Sequence, residues 1–347
     1  MGRSLSLRFL LASLVLAGPA TAQLTDADVN ARIREGVLRF ERGDLAGAQR
    51  SFEAVLAERP DHVVATYELA YTHVRQGEPD RALAIIDGAF ARDLAVTAEY
   101  HSLGASIVDG LGRPDEAVLR FQQGIAAFPE NHNLHLNLGI THITRGDGAA
   151  ARASFERAIT LNPEHPTAHF YVGQIYAAEG LIAAGVLALG KGIGVDNVEQ
   201  RRVAAAGIIK RLMDDSVGLG EEGVPIVVMP VDYYVPPMTM QKLTAAVGMH
   251  YAAGFALQKK SEGDLSYEPY AMAFSLLATE FARAGIDPAS HFAADYYQRF
   301  FSEMVENGQQ MTYSHVILAP LNPGLASTWA QANGERVESF RVWTRSR

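Results

Sequence analysis

The sequence predicts a mainly α protein: an α-solenoid of about five helical hairpins, followed by a helix-rich α+β C-terminal domain. Three observations carry this prediction. Small, bulky and turn-type residues recur with one shared period between about residues 28 and 194. Those columns vanish after about Val195. Beyond that point, helix-length amphipathic stretches alternate with short apolar runs bounded by proline and glycine.

The first element lies outside the fold. The opening MGRSLSLRFLLASLVLAGPATAQ places Arg3 and Arg8 before the apolar run Phe9 to Leu16 and ends in Ala20-Thr21-Ala22. That is the basic, apolar, small-residue order of a secretory signal, with cleavage expected after Ala22. The run falls short of the roughly 20 apolar residues that span a bilayer. No second long apolar run follows, so no transmembrane segment is expected after cleavage. The expected location is periplasmic or secreted. The chain has no cysteine, which excludes disulfides, thiol chemistry, cysteine-based metal sites and a lipid-modified cysteine behind the signal.

Bulk composition adds bounds. With 347 residues, 48% hydrophobic and 20% charged, the chain is long enough for about two globular domains. Its formal charge of −9 argues against a nucleic-acid partner, which calls for a basic face.

The hairpins come next. A small residue recurs at Gly36, Ala70, Gly104, Gly139 and Gly173, in steps of 34, 34, 35 and 34. A turn glycine recurs at Gly43, Gly77, Gly112, Gly146 and Gly180, and a second small position at Ala48, Ala82, Ala117, Ala151 and Gly185. A bulky position holds Phe52, Ile86, Phe121, Phe155 and Leu189, while Pro60, Leu94, Pro129 and Pro163 close four units. Each column has a mechanical reason. Small residues let two helices approach, and the bulky residue fills the gap between neighbours. The turn glycine ends the first helix in the left-handed region. The proline stops the second helix. One such hairpin cannot bury its own apolar face, and stacking supplies the missing surface.

The 34-residue period with these columns resembles the tetratricopeptide repeat (TPR) family over about residues 28–194. The resemblance is most specific at Leu138-Gly139, Gly146, Ala151, Phe155, Ala158 and Pro163. The first unit departs from it with Glu35 and Arg39, as an end cap would. The fifth departs with Gly185, Gly190, Gly192 and Gly194 in its second helix. The resemblance implies a concave face, formed by the first helices, that binds an extended peptide or partner helix. Carried over unit by unit, it points to Phe40, Val64, Tyr67, Tyr71, His101, Asn133, Leu136, Ile140, Phe170 and Gln174. None is Lys or Arg, which disfavours the family's basic clamp for a terminal carboxylate. An apolar segment suits this face better, with aromatic anchors at Tyr67, Tyr71 and Phe170. Two readings stand open here: a groove free for a partner, or one packed by the downstream chain.

LIAAGVLALGKGIG, the last repeat helix, has Lys191 as its sole charge, so something is expected to cover it. The natural cover is the helix in DNVEQRRVAAAGIIKRLM, where Asp196 and Glu199 have capping-box spacing. Val203, Ile209 and Leu212 are expected on its apolar stripe, with Arg201, Arg202 and Lys210 in water. The region from 195 to 347 matches no recognised family and is expected to cap or fill the repeat row. GVPIVVMPVDYYVPP suggests a strand and turn; MTMQKLTAAVGMHYAAGFAL a helix; SYEPYAMAFSLLATEFARAG and DPASHFAADYYQRFFSEMVENG two more, stopped by Gly285 and Gly308. MTYSHVILAP and ERVESFRVWTRS are expected as strands.

Chemistry-bearing motifs are sparse. HExxH, GxSxG and SxxK are absent. His250, His291 and His315, with Glu268, Glu280 and Asp295, are the C-terminal groups that an enzyme or receptor would use. His291 and Asp295 are one helical turn apart. His132 and His135, and the column-matched His73 and His142, suit packing better than a metal. The stretch from Gly185 to Lys191 imitates a phosphate loop but lacks the following Ser or Thr and lies where a helix belongs. No catalytic, cofactor-binding or metal-binding residue is assigned, and enzymatic activity stays open. The expected function is an exported TPR-type protein–protein interaction scaffold of the bacterial cell envelope, with a protein or peptide partner and room for self-association. The alternative is an enzyme or small-ligand receptor with its site in the C-terminal domain.

Overall fold

The computed structural model describes residues 25–216, 218–219, 225–226, 242, 268–286 and 291–345. The expected signal at 1–22 and most of the helix expected over 238–257 and of the strand expected over 223–237 lie outside the described residues. So does His250.

Ten helices come first: α1 (Asp26–Glu41), α2 (Leu45–Glu58), α3 (Val63–Arg75), α4 (Pro79–Ala91), α5 (Ala98–Gly110), α6 (Pro114–Ala127), α7 (His132–Thr144), α8 (Gly148–Leu161), α9 (Pro166–Ala178) and α10 (Ile182–Val195). Each odd-numbered helix and its successor meet at a turn whose glycine, Gly43, Gly77, Gly112, Gly146 or Gly180, has φ between 76° and 81°. This is the left-handed conformation that only glycine takes without steric cost. Asp44 and Asp147 cap the helices that follow two of these turns, each accepting from a backbone N–H. Pro79 and Pro114 start two others.

The chain forms two compact units, residues 1–107 and 108–347, and the division falls within α5. In the first unit, α1 packs on α2 and α2 on α3. Ala48, Phe52 and Leu69 form one buried group, flanked by Ile33, Val37 and Phe40. A Cβ on Gly36 would stand 2.5 Å from the ring of Phe52. The small column thus exists to seat the bulky one.

In the second unit, α7–α10 continue helix pair by helix pair. They then share one core with α11 (Glu199–Asp215), α12 (Glu268–Arg283), α13 (Phe292–Glu306), α14 (Gln310–Leu318) and α16 (Gly334–Arg345). A 3-10 turn (Ala319–Leu321) and α15 (Pro323–Ala332) lie between the last two. Every residue of α10 from Ala183 to Ile193 is buried. The helix packs against α9, α11, α12, α13 and α14. Its glycines make this crowding possible: a Cβ on Gly190 would collide with the ring of Phe274, and one on Gly194 would stand 2.6 Å from the Tyr313 hydroxyl. Tyr313 also donates to the Gly190 carbonyl at 2.9 Å. The phosphate-loop look-alike is therefore an interior helix.

The expected α+β C-terminal domain is corrected to a helical one. Residues 311–320, expected as a strand, lie in α14 and the 3-10 turn, and 335–346, also expected as a strand, fall almost entirely in α16. The pairing found among the described residues is a two-residue antiparallel contact, Gly218 with Ile226 and Leu219 with Pro225. The capping box at Asp196 also fails. Val198 occupies the N-cap of α11 without a side-chain bond. Asp196 instead accepts from Arg201 at 2.7 Å and from the Val198 N–H at 2.8 Å. Ile209 is buried and Leu212 packs on the core, but Val203 is 47% exposed.

One buried polar joint ties α9 to α13. His169 is fully buried; the Tyr297 hydroxyl lies 2.7 Å from its Nδ1, and the Pro163 carbonyl 2.9 Å from its Nε2. A carbonyl only accepts, so Nε2 carries the proton and Nδ1 accepts from Tyr297. Burial pushes the imidazole down to about 3, so it is neutral at ordinary pH.

This packing sets two expectations. Gly190→Ala is expected to destabilise the fold by about 1–3 kcal/mol through overpacking. By contrast Gly207→Ala, on α11 with nothing within 4 Å of the new Cβ, is expected to stabilise it by about 0.5–1 kcal/mol; urea denaturation followed by circular dichroism measures both. The second concerns acid. The unfolded imidazole takes up a proton near its ordinary 6.5 while the folded one resists until about 3. Stability is therefore fully present above 6.5 and falls as pH drops through that window. His169→Gln is expected to flatten this acid slope in denaturation series from about pH 7 to about pH 4.

Candidate protein-binding surface

The first unit carries a continuous row of aromatic rings. Val64, Tyr67 and Tyr71 occupy positions i, i+3 and i+7 of α3 and share one helical face. Phe40 of α1 stands 5.2 Å from Tyr71, Tyr71 stands 6.3 Å from Tyr67, and Tyr67 stands 5.5 Å from Tyr100 of α5. Phe40, Tyr67 and Tyr71 are half-buried, so each keeps part of its ring in water, while Tyr100 is buried. The Tyr100 hydroxyl donates to the Val63 carbonyl, which pins the end of the row to the start of α3. Val64 adds an apolar group that is 49% exposed.

Charge differs along this row. The Arg75 guanidinium lies 5.2 Å from the Phe40 ring centroid. Near Tyr67 the charges are acidic. Burial first, then Glu68 and Glu99, push the Tyr67 phenol up to about 12, so it remains a neutral donor. Burial also raises the Glu68 carboxyl. His101 packs on Phe90 with ring centroids 4.9 Å apart. Burial lowers its pKa, which disfavours the charged form.

The candidates of the second unit form no comparable row. Asn133 is exposed at the start of α7, where its N–H bonds the Asn131 cap. Leu136 is buried in the common core. Ile140 and Phe170 pack partly against that core, and Phe170 meets Tyr171 edge-on at 5.7 Å. The Gln174 amide donates back to the Phe170 carbonyl at 3.4 Å. Sequence reasoning thus gathers Phe40, Val64, Tyr67 and Tyr71 into one surface. It misses Tyr100 and Arg75, which belong to no repeated column and carry no periodic signal.

The groups considered for chemistry are held in other ways. His291 caps α13 by accepting from the Ala293 N–H, and its Nε2 lies 3.4 Å from Arg152, whereas Asp295 pairs with Arg299. The two do not form a pair. His315 stacks on Trp329 at 3.7 Å. His73 pairs with Glu78 at 2.8 Å. His135 lies 3.4 Å from the Pro129 carbonyl, and the His132 ring meets His165 at 5.2 Å. Among the described residues, no group of three or more His, Asp or Glu side chains is placed to hold a metal ion.

Family profiles described as Tetratricopeptide repeat match residues 39–107, and 105–160 with 136–193. The uncharacterized protein y4yS of Sinorhizobium fredii is 34% identical over 127 residues, 34% of this chain and 66% of its own length. Tetratricopeptide repeat protein 13 of Homo sapiens is 29% identical over 140 residues, 39% of this chain and 16% of its own. The chain thus spans slightly under two thirds of one curated relative and a small part of the other. Among solved structures, a thermophilic TPR protein of Thermus thermophilus is 22% identical, with a TM-score of 0.45 over 52% of this chain and 99% of its own. PilF of Pseudomonas aeruginosa is 17% identical, with a TM-score of 0.45 over 70% of this chain and 94% of its own.

Proposed function

Residues 39–193 belong to the tetratricopeptide repeat family, and from that premise we propose that this chain is an exported scaffold of the bacterial cell envelope that holds an apolar segment of a protein partner. Proteins of this family act as protein–protein interaction scaffolds. The observation that carries the finer reading is the aromatic row Phe40–Tyr71–Tyr67. Half-buried rings along one face offer large apolar contact at low entropic cost, and aromatic residues dominate binding hot spots. The polarity of the row gives the segment a direction. An acidic residue favours the Arg75 end, and a basic one the end near Glu68 and Glu99. In this reading the helices after residue 195 cap the last hairpin; the burial of α10 from Ala183 to Ile193 supports that role. Export rests on the order Arg3, Arg8, Phe9 to Leu16, Ala20-Thr21-Ala22.

Two experiments test the proposal. Peptides selected by display on the intact protein are expected to be apolar. Tyr67→Ala/Tyr71→Ala is expected to weaken them by roughly 30-fold or more, the loss of about one hot spot; unchanged affinity in a calorimetric titration sinks the surface. For export, the full chain is expressed in a bacterium, and the periplasmic fraction is sequenced from its N-terminus. A mature chain starting at Gln23 is expected, and an intact cytoplasmic chain overturns the location.

A further inference from the structure

A concave site of another kind lies wholly in the second unit, apart from the aromatic row. It is a cavity of about 360 Å³ between α11, α14, the 3-10 turn, α15 and α16. That volume lies within the range that small-ligand sites use. The 3-10 turn packs against both α11 and α15, which joins the walls. The lining is mostly apolar: Val316, Pro320, Pro323, Trp329, Ala330 and Val337. Pro320 and Pro323 have no N–H, so this stretch presents carbon where another residue would present a donor. Trp329 is fixed by its stack on His315, with ring centroids 3.7 Å apart. Ala319, Ala326 and Ala330 keep the space open, since larger side chains there would close it.

Charge and size narrow the occupant. Among the described residues, Glu199 and Arg202 are the charged side chains of the lining, and they meet at 3.0 Å, so their charges cancel. The other ionisable group, His315, is buried. Burial first, and then Arg336, push its imidazole down to about 4, so it is neutral at ordinary pH. An ion that enters therefore leaves water for an apolar wall whose two charges already hold each other. A standard protein interface draws roughly 20–30 residues from each side. Here 12 residues line the space, which suits one small molecule.

We propose that this cavity binds a small neutral molecule with a mainly apolar body, the size of one or two fused rings. The body lies against Trp329, Pro320 and Val337. Carboxylates and amines of the same shape are disfavoured, because each sheds water without gaining a free counter-charge. The second unit thus has a ligand of its own, independent of the protein segment assigned to the aromatic row.

Trp329 lines the cavity and serves as the reporter. The other tryptophan is Trp343, so the full chain labelled with 5-fluorotryptophan gives two fluorine resonances, and the one missing from Trp329→Phe belongs to Trp329. The labelled protein is titrated with 1-naphthylmethanol, 1-naphthoate and 1-naphthylmethylammonium, which share one body and differ in charge. It is also titrated with the blocked tripeptide Gly-Trp-Gly. Saturable binding of the alcohol, with a dissociation constant of about 1 mM or tighter, is expected for a ligand of this size. The Trp329 resonance is expected to shift, and both ions to bind roughly 10-fold or more weakly than the alcohol. Ala330→Phe fills the cavity and is expected to weaken the alcohol by roughly 10-fold or more. Ala332→Leu, on α15 but outside the lining, is expected to leave it unchanged. If Ala330→Phe does not fold, Ser327→Leu, at an exposed position of the same wall, takes its place. No saturable binding of the alcohol, equal or tighter binding of either ion or of the peptide, a shift confined to Trp343, or full affinity in the filled variant overturns the proposal. Neither Tyr67 nor Tyr71 takes part, so loss of the peptide surface in their double variant leaves this titration unchanged.

Discussion

The constraint on which the rest depends is that a pair of short helices has more apolar surface than it can hide. Each helix of the repeats is 13 to 16 residues long, and two of them in contact leave their outer faces bare. Neighbours on both sides solve the problem for every hairpin inside the row, and only the two end hairpins need another answer. Here the last helix, α10, has no polar face at all; even its charge, Lys191, is buried against Glu164 and Phe300. The C-terminal helices are thus demanded by the composition of α10. His169 shows how closely the two regions are joined: its ring bonds a carbonyl of the repeats on one side and a tyrosine of α13 on the other.

Much of the repeat region was legible because its signals are mechanical and recur. The turn glycines all take positive φ, and Gly36 and Gly139 both make room for the bulky residue sixteen positions on, Phe52 and Phe155. The C-terminal region was less legible for a physical reason. Thr312, Tyr313, Ser314, His315, Ile317 and Leu318 are all buried, so α14 has no wet face to print a helical period on the sequence. In α16, the apolar Val337, Phe340, Val342 and Trp343 imitate a strand. The helix buries Trp343 and half-buries Phe340, while Val342 is left 58% exposed. The glycines of α10 resemble damage to a repeat; they mark where Phe274 and Tyr313 cross it.

The candidate surfaces were legible to the extent that they obey the period. Tyr67 and Tyr71 could be placed together because they are four residues apart on one helix. Leu136 was placed with them by analogy of column, but it lies in the common core, a difference in surroundings that position in the repeat does not encode. Tyr100, Arg75 and the rings around Trp343 owe their places to contacts between elements far apart in the chain. No spacing rule reaches them.

The burial of α10 also bears on how such an array can grow. Repeat rows lengthen by copying a unit beside its neighbour, which works wherever both faces of the new hairpin meet another hairpin. After α10 that route is closed: an inserted copy would have to match the surfaces of Phe274, Ile317 and Tyr313, which are shaped to a helix thinned by glycine. Duplication can proceed only upstream, among Gly43 to Gly180, so the row is closed at its carboxy-terminal end. In lineages descended from this chain, differences in repeat number are expected on the amino-terminal side, with the last hairpin inherited as a single piece with the helices that enclose it.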